Sequence, residues 1–164
     1  MAERKDMVLV PIVGTVRKIE ESGDDCCSRI LSLQTPEEQA DFVLSADTTV
    51  IDCVPIRTGM RIAAFFDSKA PMPLVYPPRY QAVLVTRMER GENVMLSEFD
   101  ENLVSAGKTL QLNISPLTRI VTLNGQRTKC KPAQKKLLVY YSTTTRSIPP
   151  QTTPRKLVIL CGEV

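Results

Sequence analysis

Histidine is absent from this chain, and its absence limits the chemistry that the other residues could perform. It excludes Ser-His-Asp and Cys-His catalysis and every metal site that uses histidine. The side chain that most often acts as a general acid or base near neutral pH is missing too. Glycine occurs only seven times and never in a phosphate-binding cluster. The sequence therefore favours a protein that is not an enzyme and that uses no cofactor.

Cysteines and paired carboxylates are the remaining reactive groups. Cys26-Cys27 lies beside Asp24-Asp25, a combination that could bind a soft metal, but four ligands at the spacing of a metal site are not visible. Five cysteines without a C-x-x-C pair also differ from the framework of a secreted disulfide protein. We therefore predict reduced thiols, no metal site and no catalytic residue.

Basic side chains crowd one segment of the second half and form a candidate binding patch. The basic patch consists of Arg127, Lys129, Lys131, Lys135 and Lys136. Residues 1–95 carry a net charge of −3, whereas residues 96–164 carry a net charge of +6. Three interpretations stay open: the patch contacts nucleic-acid phosphates, it protects a sheet edge as a solvated loop, or it pairs with the acidic half within or between chains.

Aromatic side chains, on which single-stranded nucleic acids stack, make up only 5% of the chain. Four of them sit on the most apolar segments and are predicted to be core residues: Phe65, Phe66, Tyr140 and Tyr141. Tyr76, Arg79 and Tyr80 are candidate loop contacts for a ligand. They belong to the first half and the basic patch to the second, so the two signals of nucleic-acid binding do not coincide in sequence.

The elements that would position these residues occur twice, which indicates an internal duplication. Ser45 and Thr48 recur 70 residues later as Ser115 and Thr118. An apolar segment with a doubled aromatic, residues 62–67, recurs 75 residues later. The growth of the offset predicts a five-residue insertion in the second copy, in a segment that holds the turn signal Asn-Gly.

The segments after the doubled aromatic also match, at an offset of 76. Met72-Pro73 falls on Ile148-Pro149, and Val83-Leu84 falls on Ile159-Leu160. An insertion in a turn is what a duplicated unit tolerates. The order strand, Ser-x-x-Thr, strand, proline-rich loop, strand therefore predicts two copies of one unit.

Each copy reads as about five short strands rich in β-branched and aromatic residues. In the first copy the predicted strands are residues 7–20, 29–33, 40–44 continuing through 50–51, 61–66 and 81–86. In the second copy they are residues 94–99, 102–104, 109–114 continuing to 121, 136–141 and 156–160. The nearly continuous apolar runs 62–66 and 137–141 predict strands that are covered on both faces. A single helical turn is predicted, with Thr35 as its N-cap and Pro36 at its first position.

Five strands in about 70 residues predict a small, partly open barrel of OB-like shape. The predicted fold class is all-β: two tandem OB-like small β-barrels related by a pseudo-twofold internal duplication. Residues 1–92 form the first repeat, and residues 93–164 form the second, packed against the first. A single larger β-sandwich is the alternative architecture.

Several of these segments resemble an uncharacterised family of small β-barrel proteins from Gram-positive bacteria. The resemblance rests on the motif PMPLxYPPxYxA within residues 70–82, on residues 102–105 and 112–116, and on the motif SIPxQTTP at residues 147–154. It covers most of the chain and implies two OB-like repeats in a bacterial protein. It carries no assigned activity and no catalytic residue.

These observations favour a non-catalytic β-barrel binding module that binds a protein partner or a second copy of itself. OB-like binding of single-stranded nucleic acid through the basic patch is the alternative. No apolar run approaches the roughly 20 residues of a membrane helix, and the mixed charge of residues 1–6 is not that of a signal peptide. We therefore expect a cytoplasmic protein with no membrane partner.

Overall fold

The computed structural model of the chain describes residues 7–23, 25–72 and 74–161. The charged N-terminus, Asp24 of a predicted turn and Pro73 of a predicted motif lie outside the described residues.

The described chain is all-β, which confirms that part of the predicted fold class. It divides into two compact units, of which the first ends at Glu89 and the second begins at Arg90. No helix within the described residues is long and apolar enough to cross a membrane.

Unit 1 contains one sheet whose strands are mostly antiparallel. Its described strands are β1 (Leu9–Ser22), β2 (Asp25–Gln34), β3 (Gln39–Leu44), β4 (Thr49–Val50), β5 (Arg61–Asp67), β6 (Arg79–Gln81) and β7 (Leu84–Arg87). They lie side by side in the order β4-β7-β5-β1-β2-β3-β6. Only β3 with β6 and β4 with β7 pair in parallel.

The core of unit 1 follows from the alternation of apolar residues along its strands. Leu31 and Leu33 of β2 are fully buried and pack with Val16 of β1 and Phe42 of β3. Gly23 turns the chain from β1 into β2 with a φ of +52°, a left-handed conformation that glycine adopts without steric cost.

Unit 2 contains two smaller sheets. Its described strands are β8 (Asn93–Glu98), β9 (Gln111–Leu112), β10 (Arg119–Val121), β11 (Lys136–Tyr141), β12 (Gln151–Thr152) and β13 (Lys156–Leu160). One sheet has the order β10-β13-β11-β8, and the other pairs β12 with β9. Leu112, Leu137, Val139 and Leu157 contribute to its core. Among the described residues of both units, no sheet closes into a barrel, so the OB-like arrangement stays a prediction.

Strand pairing follows the same scheme in the two units. In unit 1, β7 is parallel to β4 and antiparallel to β5; in unit 2, β13 is parallel to β10 and antiparallel to β11. Leu84 pairs with Phe65 and Lys156 with Tyr140, so Leu84 corresponds to Lys156, not to Leu160 as the offset of 76 predicts. Phe65 and Leu84 are 19 positions apart, whereas Tyr140 and Lys156 are 16 positions apart. The connection between these two strands is therefore three residues shorter in unit 2.

The repeated Ser-x-x-Thr turns have two threonine hydrogen bonds in common. The hydroxyl of Thr48 accepts the N–H of Ser45 at 3.0 Å and donates to the carbonyl of Ala82 at 2.7 Å. In unit 2 the matching bonds, 3.2 Å and 2.8 Å long, join Ser115, Thr118 and Pro154. Each threonine thereby ties the turn before β4 or β10 to the segment before the last strand of its unit.

The prediction that β5 and β11 are covered on both faces is confirmed. Four consecutive residues in each strand have no exposed surface: Ile62, Ala63, Ala64, Phe65, and Leu137, Leu138, Val139, Tyr140. Phe65 and Tyr140 are therefore core residues as predicted. Phe66 and Tyr141, at the strand ends, remain half-buried.

The predicted helical turn after Thr35 is wrong, because this segment makes the tight connection between β2 and β3. The Thr35 hydroxyl accepts the N–H groups of Glu37 and Glu38, as an N-cap would, at 3.2 and 3.1 Å. It also donates to the carbonyl of Glu38 at 2.6 Å, and the Thr35 N–H donates to the same carbonyl. The chain therefore reverses direction at once, and Gln39 already belongs to β3.

A partly buried ion pair stabilises unit 2. The guanidinium of Arg155 donates two hydrogen bonds to the carboxylate of Glu92, at 2.6 and 2.9 Å, and Glu92 is 6% exposed. The same guanidinium lies 5.4 Å from the centroid of the buried Tyr140 ring. Bidentate, charge-assisted bonds of this kind satisfy a buried carboxylate that would otherwise be costly.

Candidate functional site

The loop between β5 and β6 borders an apolar groove in unit 1. The groove has a volume of about 370 Å³. The loop supplies Ala70, Pro71 and Met72 to one wall, and the strands supply Phe66 and Tyr80. A concave apolar surface with few polar groups is the usual form of a binding site.

Exposed apolar side chains follow Met72 along the same loop. Leu74 is fully exposed, Tyr76 is 81% exposed, and Val75 and Met72 are 51% and 41% exposed. Monomeric proteins rarely expose several large apolar residues side by side unless another molecule covers them. We refer to Met72, Leu74, Val75 and Tyr76 as the apolar loop.

The structure separates the three loop contacts predicted in unit 1. Arg79 and Tyr80 line the groove, whereas Tyr76 belongs to the exposed apolar loop. The Tyr80 ring stacks on Phe42 with centroids 5.0 Å apart and lies 4.4 Å from Phe66. Because two rings already contact it, Tyr80 is partly buried, and Tyr76 is the more exposed of the two tyrosines.

Charged residues on the β1–β2 hairpin form local pairs. The Lys18 ammonium donates to the Glu20 carboxylate, and this bond raises the pKa of Lys18 and lowers the pKa of Glu20. The Ser28 hydroxyl donates to Asp25 at 2.7 Å, and the Cys27 N–H donates at 3.0 Å; both bonds lower the pKa of Asp25. Lys18 and Glu20 therefore neutralise each other, whereas Asp25 keeps its charge and is stabilised by neutral donors.

The residues of the basic patch do not all line the same groove. Lys135 and Lys136 line a groove that also contains three acidic side chains: Glu98, Asp100 and Glu101. Lys135 additionally donates to the carbonyl of Lys131 at 2.7 Å. The carboxylates offset the positive charge here, so this part of the patch is less suited to bind an anion than the sequence suggests.

Arg127 lies in a different groove, together with an arginine that the sequence analysis missed. This groove, about 450 Å³ in volume, contains Arg119, Arg127 and no acidic residue. Lys129 and Lys131 are exposed and line neither of these two grooves. Arg119 was predictable in principle: the turn signal Asn124-Gly125 folds residue 127 back against β10, which begins at Arg119.

The cysteines are all exposed free thiols. Cys26 and Cys27 line a shallow groove with Arg29, at the start of β2. Within the described residues, no group of three or more cysteine and carboxylate side chains is placed to hold a metal ion.

The chain matches no protein-family model, no curated protein and no solved structure. The resemblance to a Gram-positive family of β-barrel proteins therefore stays a prediction.

Proposed function

We propose that the chain is a non-catalytic binding module made of two OB-like units that arose by duplication, and that it binds protein through the apolar loop of unit 1. The exposure of Met72, Leu74, Val75 and Tyr76 beside an apolar groove is the observation that carries this proposal.

The OB-like part of the proposal is supported by the order of strand pairing. If β3–β4 and β6–β7 each count as one interrupted strand, unit 1 has five strands. The first pairs with the second and the fourth, and the fifth pairs with the third in parallel and with the fourth in antiparallel orientation. This is the Greek-key pairing of an OB barrel. In unit 2, isolated bridges at Phe99–Ser105 and Val104–Gln111 take the place of the second strand.

The position of the apolar loop agrees with this assignment. OB-folds bind their ligands on the face of the second and third strands and on the loops between strands one and two and between strands four and five. In the five-strand count, the apolar loop joins strand four to strand five, and Val43 of strand three lines the adjacent groove. The surface that an OB-fold normally uses for binding is therefore apolar in unit 1.

The partner that we propose is a second copy of the chain. Residues 1–95 carry a net charge of −3 and residues 96–164 a net charge of +6, so opposite halves of two copies attract each other. Burial of the apolar loop would supply the affinity, at roughly 25 cal/mol per Å² of apolar surface removed from water. Long-range attraction between the halves would act mainly on the rate of encounter.

Sedimentation velocity over a range of about 1–100 μM, flanking a typical micromolar Kd, tests this proposal. We expect the wild-type chain to associate and the double variant Leu74→Ser/Tyr76→Ser to stay monomeric. Ile148→Ser is the matched control, because Ile148 is 99% exposed on the corresponding loop of unit 2. A wild-type chain that is monomeric throughout, or a control that dissociates the protein as fully as the double variant, would contradict the proposal.

A further inference from the structure

We propose that the groove containing Arg119 and Arg127 in unit 2 binds the phosphate backbone of a single-stranded nucleic acid. This site is separate from the apolar loop of unit 1, and the inference does not depend on the self-association proposed above.

The groove is positively charged without compensation. Arg119 and Arg127 are both exposed, and neither has a carboxylate partner among the described residues. None of the eight lining residues is acidic. Between Gly107 and Gly162 the sequence contains ten basic residues and no acidic one. The groove of Lys135 and Lys136 differs in this respect, because three carboxylates line it.

The frame that holds the two arginines is well fixed by hydrogen bonds. Arg119 starts β10, and its N–H donates to the carbonyl of Arg155 at 3.0 Å. A tight turn follows β10, in which Thr122 accepts the N–H of Gly125 at 3.0 Å and donates its own N–H to Gln126 at 2.8 Å. The turn brings Arg127 opposite Val121, two residues from Arg119 along β10. A site with an ordered backbone loses less conformational entropy when it binds a ligand.

The chemistry of the lining selects phosphate groups. A guanidinium presents a planar fork of donors that matches phosphate oxygens. Thr118 and Thr128 also line the groove, but the Thr118 hydroxyl already donates to the carbonyl of Pro154, so the two guanidinium groups are the main donors for a phosphate. No aromatic residue lines the groove, so bases have no ring to stack on, and recognition would be independent of base sequence.

The size of the groove favours one strand over a duplex. Its volume of about 450 Å³ is that of a small-molecule site, into which a single phosphodiester chain can enter. Leu117 is 88% exposed in the same lining and offers an apolar contact to a sugar or a base edge. A duplex is too wide to enter and would meet only the rim.

Fluorescence anisotropy with a labelled single-stranded oligonucleotide of mixed sequence, measured from about 50 to 200 mM salt, the range over which phosphate contacts are lost, tests the proposal. We expect wild-type binding that weakens as salt rises. Arg119→Gln/Arg127→Gln should weaken binding at low salt at least about tenfold and lower the salt slope by about 1.4, since each phosphate contact contributes about 0.7. Lys135→Gln/Lys136→Gln, which removes the same charge from the other groove, should change affinity less than about twofold.

Further variants distinguish the contribution of the planar guanidinium donors from the contribution of positive charge alone. Arg119→Lys/Arg127→Lys keeps the charge and loses the fork, and we expect an affinity between that of wild type and that of the glutamine pair. Circular dichroism checks that each variant remains folded. Three results would overturn the proposal: no binding by wild type at the lowest salt, equal weakening by the arginine and lysine pairs, or duplex binding as tight as single-strand binding.

Discussion

The two units pair their strands by one scheme but stabilise them by different chemistry. In unit 1 the hairpin of β1 and β2 continues to Ser22 and Asp25, whereas in unit 2 β8 ends at Glu98 and a short turn replaces the hairpin. The carboxylate of Asp100 organises this turn by accepting the N–H groups of Asn102 and Val104, at 2.8 and 3.0 Å. A polar side chain therefore stabilises the turn in unit 2, whereas backbone hydrogen bonds between paired strands stabilise the hairpin in unit 1.

The cores of the two units also differ in the kinds of side chain they contain. Phe42 of β3 stacks with Tyr80 in unit 1, and its counterpart in β9 is the aliphatic Leu112. The N–H of Val83 donates to the carbonyl of Phe65 as the N–H of Arg155 donates to that of Tyr140, so Arg155 occupies the position of Val83. One pairing scheme therefore accommodates aromatic stacking in unit 1 and a partly buried ion pair in unit 2.

Removing the aromatic ring of Phe42 should have the largest effect. Phe42→Ala is expected to lower the free energy of unfolding by about 3–5 kcal/mol, because it empties a fully buried site and removes the stack with Tyr80 and Phe66. Leu112→Ala, at the counterpart position, should cost about 1 kcal/mol less, since it breaks no aromatic pair. Urea unfolding of the two variants measures the difference.

Phe42→Leu is the matched control for that comparison. It places the residue type of unit 2 into unit 1 and should recover more than half of the loss. Equal destabilisation by Phe42→Ala and Leu112→Ala would mean that the stack adds nothing to burial.

Replacing Arg155 of the ion pair with valine, the residue at the corresponding position of unit 1, is expected to have the next largest effect. Arg155→Val should destabilise the protein by about 2–4 kcal/mol, because buried Glu92 loses both guanidinium hydrogen bonds. The double variant Glu92→Gln/Arg155→Val should recover part of that loss, since a neutral amide is less costly to bury than a carboxylate. Thermal unfolding of both variants tests this. A change of less than about 0.5 kcal/mol in Arg155→Val would show that the pair only replaces valine packing.

Sequence patterns predicted the parts of the fold that depend on local apolar periodicity. The bounds of β11 and β13 agree with the predicted 136–141 and 156–160, because both strands are continuous apolar runs. The burial of β5 on both faces was predicted for the same reason. The Ser-x-x-Thr turns were recognised as a repeated pattern, although their bonds to Ala82 and Pro154 are long-range contacts that no local pattern encodes.

Features that depend on long-range register were not predictable in this way. The predicted match of Leu84 to Leu160 aligned two apolar strands in the wrong register. Apolar strands resemble one another, so their register cannot be fixed from sequence until the partner residues are known. The same limit explains the candidate sites. Lys135 and Lys136 were grouped with Arg127 by proximity along the chain, but pairing brings Arg127 to Arg119 and the lysines to Glu98.

Removing the threonine hydroxyl of each Ser-x-x-Thr turn tests whether its hydrogen bonds contribute equally to stability in the two units. Thr48→Val and Thr118→Val should each cost about 1–2 kcal/mol, because each leaves a carbonyl without its hydroxyl donor and keeps the side-chain shape. Ser45→Ala is the control; its hydroxyl oxygen accepts the N–H of Asp47 and the side-chain amide of Gln81, both at 3.2 Å, and both donors are exposed to water, so its loss should cost less. Chemical denaturation of the three variants measures the costs. A difference of more than about 1 kcal/mol between the two valine variants would show that the turns are alike in geometry only.

The smallest effect is expected at the hairpin that distinguishes unit 1. The Ser28 hydroxyl is the main cause of the lowered pKa of Asp25, so Ser28→Ala should raise that pKa towards its ordinary value. A carboxylate with a lowered folded pKa stabilises the protein above its unfolded pKa, and this contribution disappears as the pH falls through the folded pKa. In Ser28→Ala the hairpin should therefore lose the contribution at a higher pH than in wild type. Titration of the Asp25 carboxyl by NMR measures the shift, with Ser22→Ala as a control in the same hairpin. An unchanged midpoint in Ser28→Ala would assign the lowered pKa to the Cys27 N–H alone, and the hairpin would then resemble the backbone-supported Asp100 turn of unit 2.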